Sequence, residues 1–314
     1  MNDVSTMHPP ATRENTRLGI FAGVIAYGVW GLVPIFFKQI AEVPADEIIA
    51  HRVVWAMLLM TALMFFGRGF GDAWRVARIP KQLSRIALAS ALVLGNWLTF
   101  VWGVNNGHIL ETSLGYFILP LLNVAVGVLV LKERLRPLQW IAVLLAAIGV
   151  AIEAARAGGL PWIALVLAGT FCIYGLLRKR LPLDAASGLF LETVCMTPPA
   201  LAWLAWLAFS GQSHFGAGPG LLPARDIMLI ATGAVTAIPL LLFAIAARRL
   251  PLSMMGFLQY LAPSIAFLLA VLVYHEPLDL ERTAAFAVIW LGLVVYSVDL
   301  VRGSAARAAL ASSA

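Results

Sequence analysis

The chain predicts an all-α integral membrane protein, with ten transmembrane helices arranged as two inverted five-helix repeats and both termini cytoplasmic. Three observations carry that prediction. The first is composition: of 314 residues 61% are hydrophobic and 12% charged, and the mean hydropathy is +0.89. That leaves too little polar surface to clothe a globular domain in water. The second is duplication. Phe117-Ile-Leu-Pro120 leads into Val128-Leu-Val-Leu-Lys-Glu133, and Tyr260-Leu-Ala-Pro263 leads into Val271-Leu-Val-Tyr-His-Glu276 at the same spacing. The same offset continues through Leu135 and Leu278 to Gly149 and Gly292, so two helices and their link occur twice. The third is the distribution of basic residues, taken up once the spans are in place.

About 20 apolar residues are needed to cross roughly 30 Å of hydrocarbon at 1.5 Å per residue. Reading for runs of that length gives spans at 18–40, 45–66, 84–104, 110–131, 138–154, 160–178, 185–209, 227–247, 253–274 and 281–300. Residues 1–17 read as a polar cytoplasmic tail, 18–154 as the first repeat, 155–300 as the second, and 301–314 as a C-terminal cytoplasmic tail. The first apolar run is longer than a signal-peptide core and lacks a small-residue cleavage pattern, so it reads as a retained helix. Seventeen of the 22 Lys and Arg residues then fall on one side, the side of both termini and of the loops after the second, fourth, sixth and eighth spans. By the positive-inside rule that side is cytoplasmic. The formal charge of +6 is explained by these loops, and nucleic acid is not an expected partner.

Five helices per repeat is an odd number, so the second repeat enters the membrane upside down. Glu133 is then placed at the cytoplasmic end of its span and Glu276 at the outer end of its own, each organising nearby backbone or basic groups. A weaker register of 141 relates the earlier helices, pairing Lys38 with Lys179 and Trp102 with Phe243. Inverted repeats around a midplane site are how many secondary transporters obtain two related conformations, one open to each side.

Several segments resemble the RarD branch of the EamA-type drug/metabolite transporters. They are Tyr27-Gly-Val-Trp-Gly-Leu-Val-Pro34 with Phe37-Lys38, Glu47-Ile-Ile-Ala-His51-Arg52-Val-Val-Trp55, Asn96-Trp97, Ser113-Leu-Gly-Tyr-Phe117, Pro239-Leu-Leu-Leu-Phe243 and Gly256-Phe-Leu-Gln-Tyr260. The resemblance is collinear over about residues 18 to 300. It implies a ten-helix inverted-repeat fold with a central cavity, in a multi-pass protein of the bacterial inner (plasma) membrane. It also implies a secondary transporter, an exporter of a small metabolite or drug-like solute working by alternating access, in a branch linked to chloramphenicol sensitivity or resistance. A channel or a non-transporting membrane scaffold is the competing class. The solute, the direction of transport, the coupling ion and the oligomeric state are not legible in the chain.

Polar groups inside the spans are the candidate site, because an ionisable group at bilayer depth requires a partner or a wet cavity. Glu192 lies about eight residues into the seventh span, and the 141 register sets it opposite His51, beside Arg52. Two readings stand: proton or substrate coupling through His51, Arg52 and Glu192, or a fixed Glu192–Arg52 salt bridge. The densest polar and aromatic set is Asn96, Trp97, Trp102, Asn105, Asn106, Tyr116 and Asn123 on the third and fourth spans, joined by Trp30, Gln259 and Tyr260. These residues suit an amphipathic or zwitterionic solute, or else an interfacial aromatic belt with interhelical amide bonds. Pro120 and Pro263 match in the repeat and each frees a backbone carbonyl, as hinges or as plain accommodations within a helix.

Enzyme chemistry has little support. No Gly-Lys-Ser/Thr phosphate loop occurs, and of the five histidines only His51 lies well inside a span, too few convergent ligands for a metal centre. Cys172 and Cys195 fall in apolar segments without metal-ligand spacing. No cofactor and no metal is expected. The expected partners are a small-molecule solute and the lipid bilayer.

Overall fold

The computed structural model describes residues 13–67, 70–106, 108–156, 162–217, 223–273 and 280–312. Regular structure among the described residues is entirely helical. In chain order the helices are α1 (Arg13–Lys38), α2 (Ala45–Gly67), α3 (Phe70–Ala77), α4 (Pro80–Asn105), α5 (Ile109–Leu129), α6 (Pro137–Arg156), α7 (Trp162–Arg180), α8 (Ala185–Phe209), α9 (Ala224–Arg249), α10 (Leu252–Gln259), α11 (Leu261–Leu272) and α12 (Leu280–Ser312). Among the described residues eight spans are long and apolar enough to cross a membrane, α10 and the first part of α11 counting together as one. The expected spans 110–131 and 281–300 correspond to shorter apolar stretches, Leu114–Leu129 in α5 and Thr283–Asp299 in α12. Large apolar side chains point outward, Phe66 at 83% and Phe209 at 92% exposure, which suits contact with lipid rather than water.

Three elements depart from expectation. Helix α3 falls in what reads as a basic loop; at eight residues it is too short to appear in a scan for 20-residue runs. It folds because Ala73 is buried and Phe70 stacks edge-on against Phe190 of α8, with ring centroids 5.4 Å apart. Helix α12 continues to Ser312 through an Ala-rich segment of high helix propensity that was expected as a tail. The ninth span is not one helix but two, broken at Tyr260. Pro263 has no N–H to donate to the carbonyl of Gln259, four residues earlier, and the ladder fails there. Helix α5 runs on through Pro120, so the matched prolines have different outcomes.

In the bundle, α6 packs along α12, α1 against α9 and α11, α2 against α8 and α9, α5 against α7 and α10, and α4 against α7. Residues of equal register exchange partners at these crossings. A Cβ on Gly149 of α6 would stand 2.9 Å from the Ala285 carbonyl oxygen and 2.5 Å from Ile289 Cγ1; one on Gly292 of α12 would stand 3.0 Å from the Ala142 carbonyl oxygen. Likewise the Tyr260 hydroxyl donates to the Phe117 carbonyl 143 positions away, at 3.3 Å, and the rings of Trp30 and Phe171 lie 6.0 Å apart.

Two carboxylates fix helix starts. Asp184 is the N-cap of α8; its Oδ1 accepts from the backbone N–H of Ala186 at 2.9 Å and of Ser187 at 3.0 Å. Glu133, just beyond α5, accepts from the N–H of Leu252 at 2.7 Å and of Ser253 at 3.0 Å, and from Ser253 Oγ at 2.8 Å. It therefore clamps the start of α10, with Lys179 Nζ 3.9 Å away. Partial burial works to raise the carboxyl pKa of Asp184, but the hydrogen bonds from Ser187 and Ala186 and the charge of Arg248 outweigh it and hold it below the ordinary value. Replacing Asp184 with Ala is expected to cost about 1 kcal/mol, as for other N-caps, read as a lower unfolding temperature in detergent. Because the folded-state pKa is depressed, the cap's contribution is present above the unfolded carboxyl pKa and fades as pH falls through the folded one. The gap between wild type and Asp184→Ala should thus narrow in acid.

Candidate functional site

Arg52 points from α2 into the space between α1, α4, α5 and α9. Its Nε donates to Thr236 Oγ1 of α9 at 2.9 Å. The guanidinium carbon stands 4.4 Å from the ring centroid of Trp97 on α4 and 5.5 Å from that of Phe37 on α1. A cation over indole is stabilised by about 0.5–2 kcal/mol, less than the cost of burying an unpaired charge in the bilayer. Among the described residues no carboxylate pairs with Arg52 and its two terminal nitrogens have no hydrogen-bond partner. Tyr116 of α5 lies within electrostatic reach of the same charge. It is 42% exposed while its ring meets Phe100 edge-on at 5.8 Å. Trp30 stands in an aromatic group with Tyr27, Phe171 and Phe243, centroids 5.3 to 6.0 Å from its own.

The expected Glu192–Arg52 salt bridge is corrected by the structure. Glu192, fully buried on α8, accepts from Arg178 Nη1 at 3.1 Å on one oxygen and from the Tyr174 hydroxyl at 3.1 Å on the other. Arg178 is itself 2% exposed, and its other terminal nitrogen donates to the Ala185 carbonyl at 3.0 Å. Gly188 makes the room: a Cβ there would stand 2.0 Å from Arg178 Nη1. In sequence, Arg178 is one of three adjacent basic residues ending α7 and reads as a loop-side charge. The tight link from α7 to α8 turns it inward instead, while Lys179 reaches the Leu250 carbonyl. Tyr174 carried no signal beyond its place on the same helix.

His51 does not join Arg52 or Glu192 either. Its Nδ1 accepts from Trp55 Nε1 at 3.2 Å, and its Nε2 lies 3.9 Å from Glu47, whose carboxylate binds the His214 backbone N–H at 2.8 Å. With Trp55 and Phe215 it lines a separate cavity of about 590 Å³ between α2, α8 and the loop before α9. The three groups of the expected charge cluster thus belong to three different places.

The remaining candidates divide in the same way. Asn96 is buried and donates to the Leu167 carbonyl at 2.8 Å and to Thr170 Oγ1 at 2.9 Å, joining α4 to α7. Asn123 donates to Gln259 Oε1 at 2.5 Å, joining α5 to α10. Among the described residues, Asn123 Oδ1, Gln259 Nε2 and the Tyr27 hydroxyl are buried without a hydrogen-bond partner. Tyr260 is 1% exposed. Trp102, at the far end of α4, stacks on His108 and lies 5.5 Å from Trp162, and Asn106 turns back to the Trp102 carbonyl. The side chain of Asn105 lies outside the described residues, as do Glu276 and His275. The structure therefore gathers Trp97 and Tyr116 around Arg52, sets Trp30 in an aromatic group with Tyr27, Phe171 and Phe243, and assigns Asn96, Asn123, Gln259 and Tyr260 to joints between helices.

Helices long and apolar enough to cross a membrane, packed around a charged centre, define the class as a multi-pass membrane protein, and its relatives make it a transporter. The EamA-like transporter family matches residues 17–153. An "Uncharacterized transporter" of Vibrio cholerae is 46% identical over 298 residues, covering 95% of this chain and 98% of that protein. "Protein RarD" of Escherichia coli is 43% identical, covering 92% and 96%, and the "Chloramphenicol-sensitive protein RarD" of Pseudomonas aeruginosa is 33% identical, covering 90% and 95%. A solved crystal structure 20% identical in sequence superposes with a TM-score of 0.66 over 92% of this chain and 98% of its own, a likeness of fold. The chain belongs to the RarD branch of the EamA-type drug/metabolite transporters and is a multi-pass protein of the bacterial inner membrane.

Proposed function

We propose that the protein is a secondary carrier, working as an exporter, that moves a small metabolite or drug-like solute by alternating access. The observation that carries this reading is the Arg52 cation, half-buried against Trp97 and within reach of Tyr116 amid helices long enough to cross a membrane. In this reading the chain crosses ten times, with α5, α10–α11 and α12 each completing a crossing, and both termini are cytoplasmic. Residues 18–154 and 155–300 are inverted five-helix repeats. The exchanged contacts of Gly149 and Gly292 support that arrangement, as does a family match over residues 17–153, the length of one such repeat. Helices packed around such a two-fold relation can rock against each other and open one side at a time. The break at Tyr260 serves as a hinge in the second repeat, with Pro120 shaping the close approach of α5 to α10. Trp30 and Trp97 supply aromatic walls for the solute.

Purified protein in proteoliposomes should show saturable uptake of a labelled solute and its acceleration by unlabelled solute on the other side. Because one relative's printed name refers to chloramphenicol, that drug belongs in the first panel beside amino acids and organic acids. Flux that rises linearly with concentration and ignores solute on the other side would mean a channel, and no flux across a broad panel would mean a scaffold.

A further inference from the structure

Among the described residues Arg52 is a cation with no carboxylate paired to it, inside a bundle of helices long enough to cross a membrane. We propose that it is the anchor of an anion subsite and that the solute carries a carboxylate on an apolar or aromatic body. This rests on the reading of the protein as a carrier and deepens it by naming the substrate class. Three features of the geometry converge. The Nε–H is committed to Thr236 at 2.9 Å, which leaves the Nη1 and Nη2 groups as the donors still available. Among the described residues those two nitrogens have no partner, so the edge that binds a carboxylate through two parallel hydrogen bonds is free. The guanidinium carbon lies over the ring of Trp97, 4.4 Å from its centroid, and over that of Phe37 at 5.5 Å. That low-dielectric wall weakens competition from water and leaves the charge unsatisfied until an anion arrives.

The surroundings define the rest of the ligand. Tyr116 stands near the same charge with 42% of its surface open, and its hydroxyl and ring can meet a ligand's polar and apolar parts. Phe100 lies beside it, and Trp97 and Phe37 flank the charge, so the body that accompanies the carboxylate meets aromatic faces. Among the described residues no second cationic side chain couples to Arg52; Arg178 is occupied by Glu192 at 3.1 Å and Lys179 by the Leu250 carbonyl. One charge on the protein matches one on the solute, which favours a monoanion over a phosphate dianion or a dicarboxylate.

The test is equilibrium binding to the purified full-length protein in detergent, by thermal stabilisation and calorimetry at pH 7. Matched pairs are used, in which charge changes and shape does not: phenylacetate with phenylacetamide, indole-3-acetate with its amide, and benzoate with benzamide. Wild type is expected to bind at least one carboxylate about tenfold or more tightly than its amide, the usual scale for a hydrogen bond to a charged group. In Arg52→Gln that preference should fall to within about twofold while amide binding stays the same. If Arg52→Gln proves too unstable to assay, Arg52→Lys serves instead: it keeps the charge, loses the planar fork, and should reduce the preference. Carboxylates no tighter than their amides in wild type, or a preference unchanged in both variants, would overturn the proposal. The carrier reading fails separately. If neutral solutes exchange across proteoliposomes with no carboxylate preference, the anion subsite is wrong and transport stands. If carboxylates bind at Arg52 but no solute exchanges, the subsite stands and transport is wrong.

Discussion

Glu192→Gln is expected to destabilise the protein by about 3–5 kcal/mol, the usual cost of stranding one member of a buried ion pair. The neutral amide leaves Arg178, 2% exposed, as a cation with no anion beside it, and removes the carboxylate that also receives the Tyr174 hydroxyl. Two helix ends lose their common fastening, since Arg178 closes α7 and Glu192 lies in the second turn of α8. Unfolding in detergent should therefore begin at a markedly lower temperature. Arg178→Gln combined with Glu192→Gln leaves no buried charge and should recover most of the loss. This outcome makes the pair a strut. The competing outcome is a Glu192→Gln protein as stable as wild type that exchanges solute down a gradient but no longer drives it uphill on a proton gradient; that result would make Glu192 a proton carrier.

Gly233→Ala is expected to act through the backbone. The added Cβ would stand 2.5 Å from the carbonyl carbon of Trp55 and 2.8 Å from the Ala56 nitrogen. Those atoms belong to the body of α2 and cannot step aside as a side-chain tip can. The helices α2 and α9 must part, at a cost of about 1–3 kcal/mol for overpacking. Thr236 lies one turn further along α9 and holds Arg52, so the same movement releases the guanidinium. Stability in detergent and solute transport should fall together. Gly95→Ala on α4, where a Cβ meets nothing within 4 Å, is the matched control and should be neutral or slightly stabilising. Equal stability and activity in the two variants would show that α2 and α9 are not in close contact.

The eight long apolar spans among the described residues were legible because hydrocarbon thickness imposes one length on a crossing and apolar runs report it directly. The break in the ninth span was half legible: Pro263 marks it, but the same residue type at Pro120 leaves α5 intact, and only the packing around each helix decides. Glu133 was correctly placed near backbone it could organise, and the structure adds that the backbone is the start of α10. Arg178 was hidden for a different reason. A basic residue in the last turn of a helix faces the headgroups or the core according to a rotation of a few tens of degrees, and hydropathy averaged over twenty residues does not contain that rotation. The 141 register pointed to Arg52, yet proximity in register is not contact. Asn96 read either as a solute ligand or as an interhelical amide bond, and the structure shows the second, a joint between α4 and α7.

Helix α5 is continuous through its proline, whereas α10 and α11 are parted at Tyr260. If the two sequence repeats are the halves of a carrier, exchanging these bends gives its other end state, and because the two halves differ in sequence the exchange changes the energy. For a carrier that alternates between two end states, the inward-open and outward-open forms then have unequal resting populations even with no solute and no gradient. A difference of only about 1.4 kcal/mol holds ten molecules in one form for each in the other. The favoured form sets which side of the membrane the empty protein samples most, and so which side's solute concentration it is tuned to sense.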